Sequence, residues 1–248
     1  MNTWKRTFVS SFVAQILSIS GFSLALPFMP LFIRELGVDN KADQAWWAGV
    51  SMAAAGITFA AVSPLWGVLA DRYGRKLMVV RSMVGGTIVL WLMSYVQNVQ
   101  QLVACRLLQG ALTGTIAASV ALVASVTPPR RSGFALGMMQ TAVFIGVSVG
   151  PLLGGLLADH FGYRIAFRAG GCIAFLGSLL VYLGTKEDFT PPDPTEPNRL
   201  TVRGLLRSHG FLAGVLVLLM VRFGNTLINP SFPLVVQDIV GLSPTLNS

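Results

Sequence analysis

Few residues in this chain are equipped for chemistry, and most of those are cations. Arg106 stands inside a long apolar run, with Gln109 and Gly110 three and four residues after it. A guanidinium keeps its proton, so it is suited to holding an anion or ordering a hydrogen-bond network rather than to acid–base catalysis. A charged ion at such a depth marks function by default. The bland alternative is that Arg106, about five residues from the end of its run, simply reaches out to water. A second group lies in Gly67-Val-Leu-Ala-Asp71-Arg-Tyr-Gly74-Arg-Lys76, where Asp71, Arg72, Arg75 and Lys76 put four charges into six residues between two apolar runs. Its cations suit an anionic lipid surface, at about 1 kcal/mol each, and Gly74 permits a tight turn. Gly67 lets another helix come close. Asp71 is the member that a lipid surface does not require. No nucleophile–base pair, phosphate-cradling loop or metal-ligand spacing accompanies these residues, so neither an enzyme nor a metal or cofactor site is expected. Cys105 and Cys172 both fall within apolar runs, which argues against a disulfide.

The elements that must position these residues are set by composition. Hydrophobic residues make up 53% of the 248 and charged residues 11%, less than half of the roughly 25% charged that is usual for soluble domains. Lipid is the natural solvent for such a chain, and runs of about 20 apolar residues read as transmembrane helices. Seven are expected, at about 8–33, 46–70, 77–97, 101–125, 133–158, 164–185 and 210–236, making an all-α polytopic membrane protein. The first run is too long for the apolar core of a cleavable signal peptide, and Pro27 and Pro30 lie within its far half. With the N-terminus inside, twelve Lys and Arg residues fall on the cytoplasmic side and four outside, while Arg106 and Arg222 lie within spans. That bias fixes the orientation. The net charge of +8 is therefore topological, and no nucleic-acid partner is expected.

Two internal echoes organise the chain. Gly67-Val-Leu-Ala-Asp71-Arg-Tyr-Gly74 recurs as Gly155-Leu-Leu-Ala-Asp159-His-Phe-Gly162, offset by 88 residues and facing the opposite side of the membrane. Three-helix units repeated with inverted orientation are a pattern of secondary transporters. Pro27-Phe-Met-Pro30-Leu in span one also matches Pro230-Ser-Phe-Pro233-Leu in span seven, which reads as the start of a second, parallel half. The expected organisation is a six-helix bundle over 1–185, a Pro-rich cytoplasmic linker over 186–209 and the first helix of an incomplete C-terminal bundle over 210–248. The chain then represents about half of a larger protein, whose missing half would be its partner.

Taken together, these features resemble the major facilitator superfamily, and within it the 12-span drug:proton antiporters of bacteria. The Gly67–Lys76 stretch meets every specified position of the family's G-x-L-a-D-r-x-G-r-k motif. The resemblance implies a gate in which Asp71 and its neighbouring cations latch onto the second half when the cytoplasmic side closes; the alternative is a plain solvated turn. Arg106, Gln109 and Gly110 fit the R-x-x-Q-G motif, whose arginine is implicated in proton coupling, and helical spacing aligns Arg106 with Gly110, Thr113 and Ala117. Gly146, Gly150, Pro151, Gly154 and Gly155 look like the G-x-x-x-G-P-x-x-G-G motif of exporters. Physically they offer a smooth seam for helix contact, with a bend expected at Pro151.

Candidate cavity residues are Gln15, Ser18 and Phe22 on span one, Thr113 on span four, and Gln140, Phe144 and Ser148 on span five. Arg222, Asn225, Thr226 and Asn229 share a face of span seven near the bilayer midplane; each polar residue could equally serve helix packing. No Asp or Glu lies mid-span, which favours neutral or anionic cargo unless the carboxylate belongs to the other half. The expected function is proton-coupled export of small amphipathic compounds from a bacterial inner membrane. A metabolite or sugar transporter on the same scaffold, or a non-transporting membrane module, is the competing reading.

Overall fold

The computed structural model describes residues 3–24, 26–187 and 189, together with Leu216 and Met220. The chain divides into two compact units, 1–192 and 193–248, and the helices below belong to the first. Most of the linker, span seven and the candidates Arg222, Asn225, Thr226 and Asn229 lie outside the described residues. Within them the secondary structure is entirely helical, and six helices or helix pairs are long and apolar enough to cross a membrane.

Eight α-helices build the six crossings: α1 (Thr3–Ser23), α2 (Met29–Glu35), α3 (Lys41–Tyr73), α4 (Arg75–Met93), α5 (Val99–Leu112), α6 (Thr115–Val126), α7 (Ser132–Phe161) and α8 (Tyr163–Gly184). Two expected single spans are thus divided. Span one breaks after Ser23 and passes through a 3₁₀ turn at Leu26–Phe28 before α2. Pro27 brings no N–H to that turn, and Pro30 is accommodated in the first turn of α2. Span four breaks at Thr113–Gly114, where Gly114 takes φ 122°, a left-handed region that favours glycine. The carbonyls freed there find partners. Gln109 O accepts from Thr113 N at 2.9 Å and from Thr113 Oγ1 at 2.6 Å, while Ala111 O accepts from Trp66 Nε1 at 2.7 Å. By contrast, α7 runs unbroken as a helix through Pro151, and α3 through Pro64.

The helix ends are sealed by side chains. Asn40 caps α3 by accepting from Ala42 N, and Asn98 caps α5 by accepting from Gln101 N, while the Gln101 side chain takes Gln97 N in return. At the end of α4, Arg164 Nη1 donates to Ser94 O at 2.9 Å and Arg168 Nε to Ser94 Oγ at 3.2 Å.

Packing reproduces the inverted repeat. Helices α4 and α8 meet at the centre; α1 lies on α7 and α8, while α5 lies on α3 and α6 on α4. Exchanging the two three-helix units maps one set of contacts onto the other. The two turns at the echoed sequences match as well: Gly74 has φ 92°, ψ 154° and Gly162 has φ 81°, ψ 161°. Each ends one helix and begins the next. Even the interruptions correspond to within a residue: α1 ends at Ser23, which the offset of 88 carries to Ala111, and α5 ends at Leu112.

Candidate functional site

The charged joint near Lys76 is tighter than an exposed loop. Asp71 and Arg72 belong to the last turn of α3, Arg75 and Lys76 to the first turn of α4, and Gly74 alone connects them. Helix N-termini leave backbone N–H groups without partners. Here Glu187, just past α8, supplies them: Oε1 accepts from Arg75 N at 3.0 Å and Oε2 from Lys76 N at 2.7 Å. Its negative charge also suits the positive end of a helix. Lys76 Nζ donates to Thr185 O at 2.8 Å, closing the same joint from the other side. A Cβ at Gly74 would sit 3.1 Å from Glu187 Oε2 and 3.3 Å from Phe189 Cγ, so a glycine serves both the turn and the fit. Asp71 and Arg72 remain exposed, and no hydrogen bond holds the Asp71 carboxylate among the described residues. Gly67 is exposed too. A Cβ there would meet nothing within 4 Å, so the close helix approach expected at Gly67 does not occur among the described residues.

Above this joint, Trp66 and Arg81 clasp α3 to α4. The Arg81 guanidinium lies 3.4 Å from the Trp66 ring centroid, within the range of a cation–π contact. The indole N–H is the group that caps Ala111 O beside the break in span four. The clasp therefore ties the charged joint to the helix carrying Arg106.

Arg106 does not reach water. It is 5% exposed, its Nη1 donates to Gln109 Oε1 at 2.7 Å, and its Nη2 points at Met29 Sδ at 3.8 Å. Its Nε has no partner among the described residues, and no carboxylate there pairs with it. Gly110 belongs to a helix contact: a Cβ at that position would run into Ala55 O and Thr58 Oγ1 of α3. The single face expected to join Arg106, Gly110, Thr113 and Ala117 is interrupted. Gly114 breaks the helix, so Arg106 and Gly110 are buried while Ala117 is exposed and Thr113 spends its hydroxyl on Gln109 O.

The glycine seam of α7 lies flat on α1. An added Cβ would stand 2.7 Å from Ile19 Cβ at Gly146 and 2.6 Å from Ser23 Cβ at Gly150, and at Gly154 it would overlap Leu24 O. Gly155 faces Phe28 more loosely, at 3.3 Å. The opposite face of α7 carries Gln140, Phe144 and Ser148, all exposed, with Phe144 at 65%. The expected cavity face of span one is not open. Gln15 and Ser18 are sealed inside the bundle at 0% exposure, because α1 is covered by α6, α7 and α8 on its inner sides. Phe22 packs over Gly86 of α4.

These charged, glycine-seamed and inverted features fall within a match to the Major Facilitator Superfamily covering residues 11–248. The chain belongs to that superfamily. It is 36% identical over 240 residues to the multidrug resistance protein MdtG of Salmonella arizonae and, to the same extent, to that of Salmonella newport. In each case the match takes in 96% of this chain, and the chain spans 59% of the length of these curated relatives. Among solved structures, the human organic anion transporter MFSD10 (TETRAN) superposes with a TM-score of 0.65 at 19% identity, over 75% of this chain and 48% of that one. That likeness speaks for the fold. As a superfamily member the chain is a multi-pass membrane protein, and its six described crossings are the family's inverted three-helix units.

Three features had no counterpart among the expected site residues: Glu187, the Trp66–Arg81 clasp and the sealing of Gln15. Only Glu187 left a trace in the sequence, as an acid following Lys186 at the exit of a span.

Proposed function

We propose that the full-length protein exports small amphipathic compounds across a bacterial inner membrane, in exchange for protons and by alternating access. Its N-terminus would lie in the cytoplasm. Arg106 carries this reading: it is a buried cation held by one neutral amide, with a free N–H and no counter-ion among the described residues. A charge in that condition takes up an anionic partner whenever one is delivered, whether a substrate group or a carboxylate of the second half. Names borne by the 36%-identical relatives support drug export, and the α7 glycine seam, which resembles an exporter motif, supports the outward direction. Asp71, Arg72, Arg75 and Lys76 would form the cytoplasmic gate, with Asp71 free to engage the second half. The wall toward that half would include Gln140 and Phe144, exposed on α7, and Arg222, Asn225 and Asn229 of span seven. With no carboxylate mid-span among the described residues, neutral or anionic cargo is favoured.

Everted membrane vesicles holding the full-length protein test the direction. Energising them should load a fluorescent amphipathic compound into the lumen, and a protonophore should stop the loading. Accumulation that is indifferent to the protonophore, or export of lipophilic cations with no export of weak acids, would contradict the respective half of the proposal.

A further inference from the structure

A row of polar side chains is sealed inside the bundle with nothing to bond to. On α1, Ser11, Gln15 and Ser18 recur at helical spacing on one face, at 1%, 0% and 0% exposure. On α6, Thr115 and Ser119 do the same at 4% and 0%. Both carboxamide atoms of Gln15 and the hydroxyl of each of the other four lack a hydrogen-bond partner among the described residues. The two helices pack together, and their apolar neighbours bring the polar rows face to face. Ala14 shares a cluster with Leu122 and Ala118, while Phe8 and Phe12 pack with Val123 and Val120. Phe22 and Thr113 both close on Gly86 at the other end, so the helices run antiparallel.

Leaving so many buried polar groups unpaired is expensive, at about 1–3 kcal/mol each. The hydroxyls have a local escape, since a Ser or Thr can turn to the carbonyl one turn back, as Thr113, Thr127 and Thr185 do here. The Gln15 carboxamide oxygen has none, because the N–H groups of its own helix are already spent on the ladder. It needs a donor from outside the helix, and the Gln15 Nε2 is without an acceptor as well. Among the described residues this site is lined by neutral donors and acceptors, holds no carboxylate and is closed to bulk solvent, which fits water better than an ion or a drug-sized ligand.

We infer that the seam between α1 and α6 is a bound-water site, in which ordered waters bridge Gln15 to Ser11, Ser18, Thr115 and Ser119. It runs about 10 Å along α1 from Ser11 to Ser18 and joins the two inverted repeats by a polar link where the five side chains make no direct hydrogen bond among the described residues. The inference rests on burial and hydrogen-bonding need alone and stands apart from the transport reading.

Synchrotron hydroxyl-radical labelling of the full-length protein in nanodiscs tests it, because radicals made from bound water oxidise side chains that bulk solvent cannot reach. Met83 is the reporter: it is 0% exposed and packs in the cluster of Ala14 and Leu122 beside the seam. Millisecond labelling should oxidise Met83 in the wild type, and Gln15→Leu should reduce that oxidation several-fold. Ser18→Ala with Ser119→Ala removes two hydroxyls without adding volume and should have the same effect if Gln15→Leu fails to fold. Met83 silent in the wild type, or labelled equally in the variants, would overturn the inference. Labelling that required sodium and vanished in choline buffer would assign the seam to a cation and overturn it as well.

Discussion

Arg106 and Glu187 show how differently two charged residues can be read from sequence. Arg106 is conspicuous because an apolar run surrounds it, yet spacing alone left open whether it faced water. Its burial depends on Met29 and the rest of span one folding over it, a contact 77 residues away in sequence. Glu187 is inconspicuous, one acid in a charged stretch, and it becomes a helix cap only because α8 returns to the start of α4. Removing that cap leaves the Arg75 and Lys76 amides unpaired. Glu187→Ala should destabilise the detergent-solubilised protein by about 1 kcal/mol, read as a lower melting temperature and as faster amide exchange at residues 75 and 76. Glu187→Gln, which still accepts but loses the charge, should fall between the two. Equal exchange in all three proteins would show that the cap is idle. Trp66 makes a similar case: Trp66→Phe keeps an aromatic face for Arg81 and loses the bond to Ala111 O, for a cost of about 1 kcal/mol, whereas Trp66→Leu loses both. Thermal unfolding should rank wild type, Phe and Leu in that order.

Among elements, length and apolarity made the six described crossings legible, and their expected boundaries fall within a few residues of the helix ends. The interruptions of spans one and four were not legible as breaks. Pro27 was visible, but the matching stop at Leu112 has no proline and depends on Gly114 and on Trp66 taking the exposed carbonyl. At Pro151, by comparison, the helix is not broken and continues to Phe161. The glycines of α7 and α3 separate contact from open space. Gly154→Ala puts a methyl group into the Leu24 backbone, which cannot give way like a side chain. It should therefore abolish folded expression or sharply lower the melting temperature. Gly67→Ala meets open space on a helix and should be neutral or slightly stabilising, by at most about 1 kcal/mol. A loss of efflux in that stable variant would place a partner of Gly67 in the second half. Unchanged efflux would remove Gly67 from the gate.

For the whole molecule, the inverted repeat is the feature that sequence and structure express together. The same octapeptide pattern yields the same glycine turn twice, at Gly74 and Gly162, and the offset of 88 residues also relates the packing and the two helix breaks. What the sequence could not supply was which polar faces stay open. Gln15 and Gln140 look alike along their helices, but α6, α7 and α8 close over the first and nothing described covers the second. The repeat makes a topological prediction. With Cys105 and Cys172 replaced by serine, single cysteines at Arg72 and His160, both exposed and 88 residues apart, should react with a membrane-impermeant maleimide from opposite sides. Labelling of both from the same side would rule out the inverted arrangement.

Coupling between cargo and protons is most directly tested by following the proton itself. Energised everted vesicles containing the full-length protein and an internal pH-sensitive dye should lose part of their pH gradient when an exported compound is added. Arg106→Ala vesicles with equal folded protein should not. A gradient untouched by the compound in the wild type, or dissipated equally in Arg106→Ala, would contradict proton exchange through Arg106.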